Sequence, residues 1–141
     1  MPGGEYVTFP GGMIPKYLFE EARYSFVYGQ YLGTIVLGMA YVEHTLAALF
    51  YAAGRSDLER ANVSKLFREA VRLGWLTKTE FDGLDHARAV RNSVTHFREP
   101  LKDGTIEFRS VDQNELPYSI LERDARHVLR AAFGLLAKQM V

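Results

Sequence analysis

The sequence predicts an all-α fold, an antiparallel bundle of about five helices, and three observations carry that expectation. Apolar residues recur at helical spacing through most of the 141 residues. Glycine or proline stands at the joints between these periodic stretches, and the joints are short. Amphipathic helices joined by short turns bury their apolar faces against one another, which gives a bundle. Residues 14–141 read as one such domain. Residues 1–13, with four glycines and two prolines, read as an irregular arm.

Pro15 suits the first turn of a helix. Tyr17, Phe19, Ala22, Phe26 and Tyr28 then give an apolar face opposite Lys16, Glu20, Glu21 and Arg23, up to a break at Gly29. The second helix, about Tyr31 to Ala53, is almost continuously apolar and ends at Gly54. Its length would span a bilayer. Glu43 and His44 lie near its middle, however, and an acidic residue there costs roughly 2.5–3.5 kcal/mol on insertion scales, so a central core helix is expected. Asp57 is the candidate N-cap of a third helix. Val63, Leu66, Phe67, Ala70, Val71 and Leu73 form its inner face, and Gly74 closes it.

Thr77 followed by Glu80 is a Thr-x-x-Glu capping box, in which each side chain caps a backbone N–H of the other residue. It opens a fourth helix with the stripe Phe81, Leu84, Ala87, Val90 (or Arg91), Val94 and Phe97, ended by Pro100. The next segment changes character. Asp103-Gly104 reads as a turn, and Thr105 to Val111 alternates as a short strand would, so a small hairpin or extended excursion is expected before the last helix. Pro117 opens that helix, which runs to about Met140 on Ile120, Leu121, Ala125, Val128, Leu129, Ala132, Leu135 and Leu136.

Seventeen basic and seventeen acidic residues cancel, so there is no long-range attraction for a polyanion, although local phosphate contacts remain compatible with this balance. The absence of cysteine excludes disulfides and zinc–thiolate sites and fits a cytoplasmic protein. Met1-Pro2-Gly3-Gly4-Glu5 has neither the basic start nor the apolar run of a secretory signal, and no membrane association is expected.

The fourth helix carries a polar stripe of Asp85, Arg88, Asn92, Thr95 and His96. Asn92 and His96 are four apart and share a face, as do Arg88 and Asn92. Arg91 and His96 are five apart, about 140° around an ideal helix. For both to serve one site the arginine must curl round, the helix must end near His96, or a second subunit must supply one partner. Pro100 makes a helix end credible, because residues before proline are pushed out of the helical region. An imidazole exchanges protons near neutral pH. A guanidinium binds phosphate through two parallel hydrogen bonds and stabilises charge developing on its oxygens. An asparagine amide holds substrate or orients the histidine. Together they suit metal-independent RNA cleavage by attack of the neighbouring 2′-hydroxyl. Each residue alone is also compatible with a solvated helix face, with Arg91 paired to Glu80, Asp85 or an acid on another helix.

The stretch Leu84-Asp85-His86-Ala87-Arg88-Ala89-Val90-Arg91-Asn92-Ser93-Val94-Thr95-His96-Phe97 resembles the signature helix of the HEPN superfamily, the higher eukaryotes and prokaryotes nucleotide-binding domains. Its pattern is arginine, a polar residue often asparagine, three further residues, then histidine. Gly29-Gln30-Tyr31 through Val42-Glu43-His44-Thr45-Leu46 is similar to that family's apolar second helix with one glutamate, and Gly74-Trp75-Leu76 also fits. The similarity spans roughly residues 17–136. It implies a homodimer whose two motifs meet in an interface cleft and, in active members, endoribonuclease activity needing no cofactor. It further implies a toxin–antitoxin or defence setting with a nucleotidyltransferase-type antitoxin as partner. On this pattern Arg91 and His96 are the catalytic pair, Asn92 and Glu43 support them, and Arg88, Thr95 and Arg98 are candidate RNA contacts. Inactive members keep the same helix, so a non-catalytic module binding a nucleotide or a partner protein is the alternative.

Other chemistry has weaker sequence support. There is no Glu-x-x-His pair of the di-iron type; Asp82 and His86, four apart, are a single pair, and no metal site is expected. Arg123, Arg126, His127 and Arg130 line one side of the last helix and read as a salt-bridged solvated face, or as phosphate contacts should the signature helix pack nearby. No glycine-rich phosphate loop occurs.

Overall fold

A helix with few charged residues cannot sit at a protein surface on all sides, and the second periodic segment takes the central place accordingly. The computed structural model describes residue 9 and residues 11–139. Six α-helices occur among them: α1 (Met13–Val27), α2 (Tyr31–Ala52), α3 (Val63–Arg72), α4 (Lys78–Thr95), α5 (Ile106–Gln113) and α6 (Pro117–Gln139), with one 3-10 turn at Ser56–Leu58 between α2 and α3. No strand occurs among the described residues. The fold is all-α.

α2 packs most extensively against α1 and α6, and it also meets α4 and α3. Ile35, Met39, Val42, Leu46 and Phe50 of α2 are fully or almost fully buried. They meet Phe19 of α1, Leu66, Phe67 and Ala70 of α3, Leu84, Ala87 and Val90 of α4, and Ala125, Val128, Ala132 and Leu135 of α6 in one core. This explains how a helix long and apolar enough to cross a membrane is accommodated here. Gly38 allows a close approach of α2 and α6: a Cβ there would stand 2.8 Å from Cγ1 of Val128, so a side chain would force the packing at Val128 to shift. At the α1–α2 joint Gly29 adopts φ 75°, and its carbonyl accepts a hydrogen bond of 2.5 Å from the Tyr118 hydroxyl of α6.

Several expectations are corrected. The segment predicted to be an extended or hairpin excursion is helix α5, which raises the helix total above five. Thr105 caps it, its Oγ1 accepting from the Phe108 N–H at 3.1 Å, and Asn114 ends it in the left-handed region at φ 50°. Asp57 does not cap the third helix. Asn62 does, its Oδ1 accepting from the Lys65 N–H at 2.9 Å, while Asp57 pairs with Arg55. The first helix starts at Met13, inside the stretch predicted as an arm, with Pro15 buried in its first turn. Residues 1–8 and 10 of that arm lie outside the described residues, as does Met140. The predicted capping box is present: Thr77 Oγ1 accepts from Glu80 N–H at 3.1 Å, and Glu80 Oε1 accepts from Thr77 N–H at 2.8 Å.

Candidate functional site

The buried stripe of α4 is Leu84, Ala87 and Val90, facing the core. This fixes the rotation of the helix and turns the next residue, Arg91, toward the flank of α2. Arg91 Nη1 donates to Glu43 Oε1 at 2.6 Å, and Nε donates to Asn92 Oδ1 at 2.9 Å. No hydrogen bond involves the third nitrogen, Nη2, among the described residues. The two side chains are only partly covered, at 22% exposure for Arg91 and 35% for Glu43. The guanidinium is thus held on two nitrogens, and no hydrogen bond among the described residues engages the third. Of the two partners considered for Glu43, Arg91 or His96, the structure selects Arg91.

α4 ends at Thr95. The Thr95 hydroxyl donates to the Arg91 carbonyl at 2.9 Å, and Ser93 Oγ donates to the Val90 carbonyl at 2.7 Å. Such back-bonding competes with helix continuation. His96 is the C-cap, in extended geometry at φ −109°, ψ 133°, with its N–H on the Asn92 carbonyl at 3.2 Å. The helix therefore ends at the last residue of the motif, and the chain after His96 turns out of the helical path. Of the three routes by which Arg91 and His96 can serve one site, the helix end is present in the single chain. The imidazole of His96 is exposed and has no hydrogen bond or ion pair among the described residues. Phe97, expected in the apolar stripe, is instead 91% exposed, because the helix has already ended.

Arg88 Nε donates to Asp85 Oδ1 at 2.9 Å on the same helix. Arg98 is exposed and without an ion pair among the described residues. Beside them the structure adds a residue that the sequence reading missed. Arg109 of α5 makes a two-pronged contact with Asp124 of α6, Nη1 to Oδ2 at 2.5 Å and Nη2 to Oδ1 at 3.0 Å. The Asp124 side chain is 4% exposed. Hydrogen bonding to that carboxylate raises the Arg109 pKa further above its already high value. The only available signals were the caps Thr105 and Asn114, which mark a helix where alternation suggested a strand.

Two further histidines, His86 and His127, meet each other between α4 and α6. His127 Nε2 lies 3.1 Å from the Gly83 carbonyl, and since that oxygen can only accept, Nε2 carries the proton. The His86 ring meets His127 edge-on at 4.4 Å, and burial, followed by the neighbouring His127, lowers the His86 pKa. Asp82 accepts from Lys78 Nζ at 2.6 Å. On the last helix Arg123 pairs with Glu115 at 2.8 Å and Arg126 with Glu122 at 3.2 Å.

No family model, curated protein or solved structure matches this chain.

Proposed function

We propose that this protein is a metal-independent endoribonuclease of HEPN type, built on an antiparallel helical bundle and acting in the cytoplasm as a homodimer. One observation supports the reading above the others: a guanidinium fixed on two nitrogens by Glu43 and Asn92, its third nitrogen without a hydrogen bond among the described residues, lies five residues before an exposed imidazole at a helix end that has no partner among them. In this reading the 2′-hydroxyl of RNA attacks the adjacent phosphorus, its proton passing to a base. The 2′-O–P bond forms and the P–5′-O bond breaks. The departing 5′-oxygen takes a proton, and a 2′,3′-cyclic phosphate remains. His96 exchanges one of these protons. Arg91, through Nη2, stabilises the charge that builds on the phosphoryl oxygens. Glu43 and Asn92 position Arg91. A toxin or defence role, opposed by a nucleotidyltransferase-type antitoxin, is the biological setting of this reading.

The engagement of Arg91 by Glu43 also supports a second reading, a non-catalytic module in which the pair ties α4 to α2 and the surface binds a nucleotide or protein. Incubation of single-stranded RNA with the purified protein in EDTA separates the two. Cleavage that is lost in His96→Ala, with an unchanged circular dichroism spectrum, supports the ribonuclease. Intact RNA in both samples supports the module.

A further inference from the structure

Flanking the Arg91 motif is a groove of about 430 Å³ lined by His86, Arg88, Asn92, Ser93, Arg98 and Arg109, among others, and by no acidic residue. Its volume lies in the range of small-ligand sites. The three arginines come from three different segments: α4, the loop after it, and α5. The carboxylates that hold two of them do not line the groove. Asp85 takes Nε of Arg88, and the buried Asp124 grips both terminal nitrogens of Arg109. Each acid thus fixes a guanidinium without occupying the cavity, and Arg98 adds a charge with no ion pair among the described residues. Asn92 belongs to both places, since it lines the groove and accepts the Arg91 Nε–H.

A surface with three guanidiniums and no lining acid suits phosphate oxygens: Arg98 offers its whole planar fork, Arg88 its two terminal nitrogens, and Arg109, whose terminal nitrogens are on Asp124, its Nε. The overall charge of zero makes this local concentration more informative, because it does not follow from a basic chain. Continuity through Asn92 connects the groove to the guanidinium assigned to the scissile phosphate. We propose that this groove binds the phosphodiester backbone of single-stranded RNA beside the bond that is cut, with Arg88, Arg98 and Arg109 on its phosphates. The assignment rests on the ribonuclease reading for the identity of the strand. It makes Arg98 and Arg109 substrate-binding residues and gives α5 a role in holding RNA.

The test uses His96→Ala protein, so that the probe stays intact, and a fluorescein-labelled 12-nucleotide oligouridylate titrated at several salt concentrations. Removing one phosphate contact lowers the slope of log K against log salt by about 0.7 for a single strand. Adding Arg98→Ala or Arg88→Ala is expected to lower the slope by about that amount and to weaken binding about tenfold at low salt. Arg72→Ala on α3, exposed and outside the groove, serves as the control and leaves the slope unchanged. Arg98 is exposed, so Arg98→Ala tests the groove without disturbing the core, whereas loss of Arg109 would strand Asp124. Slopes unchanged by both Arg98→Ala and Arg88→Ala overturn the groove, even where the wild type cuts RNA. No measurable binding of the probe overturns it too. So does displacement of the probe by an acidic polyglutamate peptide as readily as by unlabelled RNA, which would point to a protein partner. Lowered slopes with a wild type that never cuts RNA support the groove and reject the ribonuclease.

Discussion

Among the described residues two arginine–carboxylate pairs tie one helix to another, Arg109–Asp124 and Arg91–Glu43, and they differ in burial. Arg109–Asp124 joins α5 to α6 through two hydrogen bonds, on a carboxylate almost sealed from water. Arg91–Glu43 joins α4 to α2 through one short contact, with both side chains partly open. Desolvation decides what each pair can do. A sealed carboxylate without its cation is a buried charge, so the first pair is a fixed strut. A partly solvated pair contributes roughly 0–1 kcal/mol, so the second can rearrange around an incoming phosphate at little cost in stability. The same residue types are a strut in one place and a candidate reaction centre in the other.

The largest effect expected from this contrast is on folding. Asp124→Ala leaves Arg109 partly buried and without its partner, and is expected to destabilise the fold by about 3–5 kcal/mol, read from the urea midpoint. A loss near that of a surface pair would break the contrast. Arg91→Ala should act in the opposite way, with stability changed by no more than about 1 kcal/mol. Its RNA cleavage should fall at least about 100-fold, the scale for removing one donor to a developing oxyanion. Paired urea and cleavage measurements on one preparation check both numbers.

The contrast also explains what could be read from the sequence. Helical periodicity located α1, α2, α3, α4 and α6, because each buries a broad face and the spacing records it. The Thr77–Glu80 capping box was legible because it is local chemistry between residues three apart. Glu43 could be chosen as a partner for the motif, but whether it met Arg91 or His96 depended on helix rotation, which only packing sets. Helix α5 was misread for the same reason. The segment is short, its first residues alternate apolar and polar as a strand would, none of its residues is fully buried, and what anchors it is the Arg109–Asp124 contact fifteen residues away in sequence. Phe97 was assigned to the core by extending a spacing past the point where the helix stops.

Two smaller effects concern charged and polar groups that hold the fold. Arg72 and Arg55 hold the Glu69 carboxyl at about 2, below its ordinary value of 4.5. A depressed folded-state pKa contributes stability above the unfolded value that is lost as pH falls toward the folded one. Stability from this network should therefore decline between about pH 4.5 and pH 2, and Glu69→Gln should flatten that part of the profile, measured by urea midpoints across the range. The Tyr41 hydroxyl is buried and has no hydrogen-bond partner among the described residues. Tyr41→Phe removes an unsatisfied polar group while keeping the ring against Phe19, and is expected to stabilise the fold by about 1 kcal/mol, measured by thermal unfolding. A loss of stability would mean that the hydroxyl is satisfied.

We propose that Arg91 and His96 cut RNA by using the strand's own 2′-hydroxyl. This is tested most directly by end-group analysis in EDTA on two matched strands, one all-ribose and one with a single 2′-deoxynucleotide at the cut position. The all-ribose strand is expected to yield a 2′,3′-cyclic phosphate and a 5′-hydroxyl, and the 2′-deoxy substitution to block cleavage at that position. Cleavage that survives the 2′-deoxy substitution, or an all-ribose strand left intact, would contradict it.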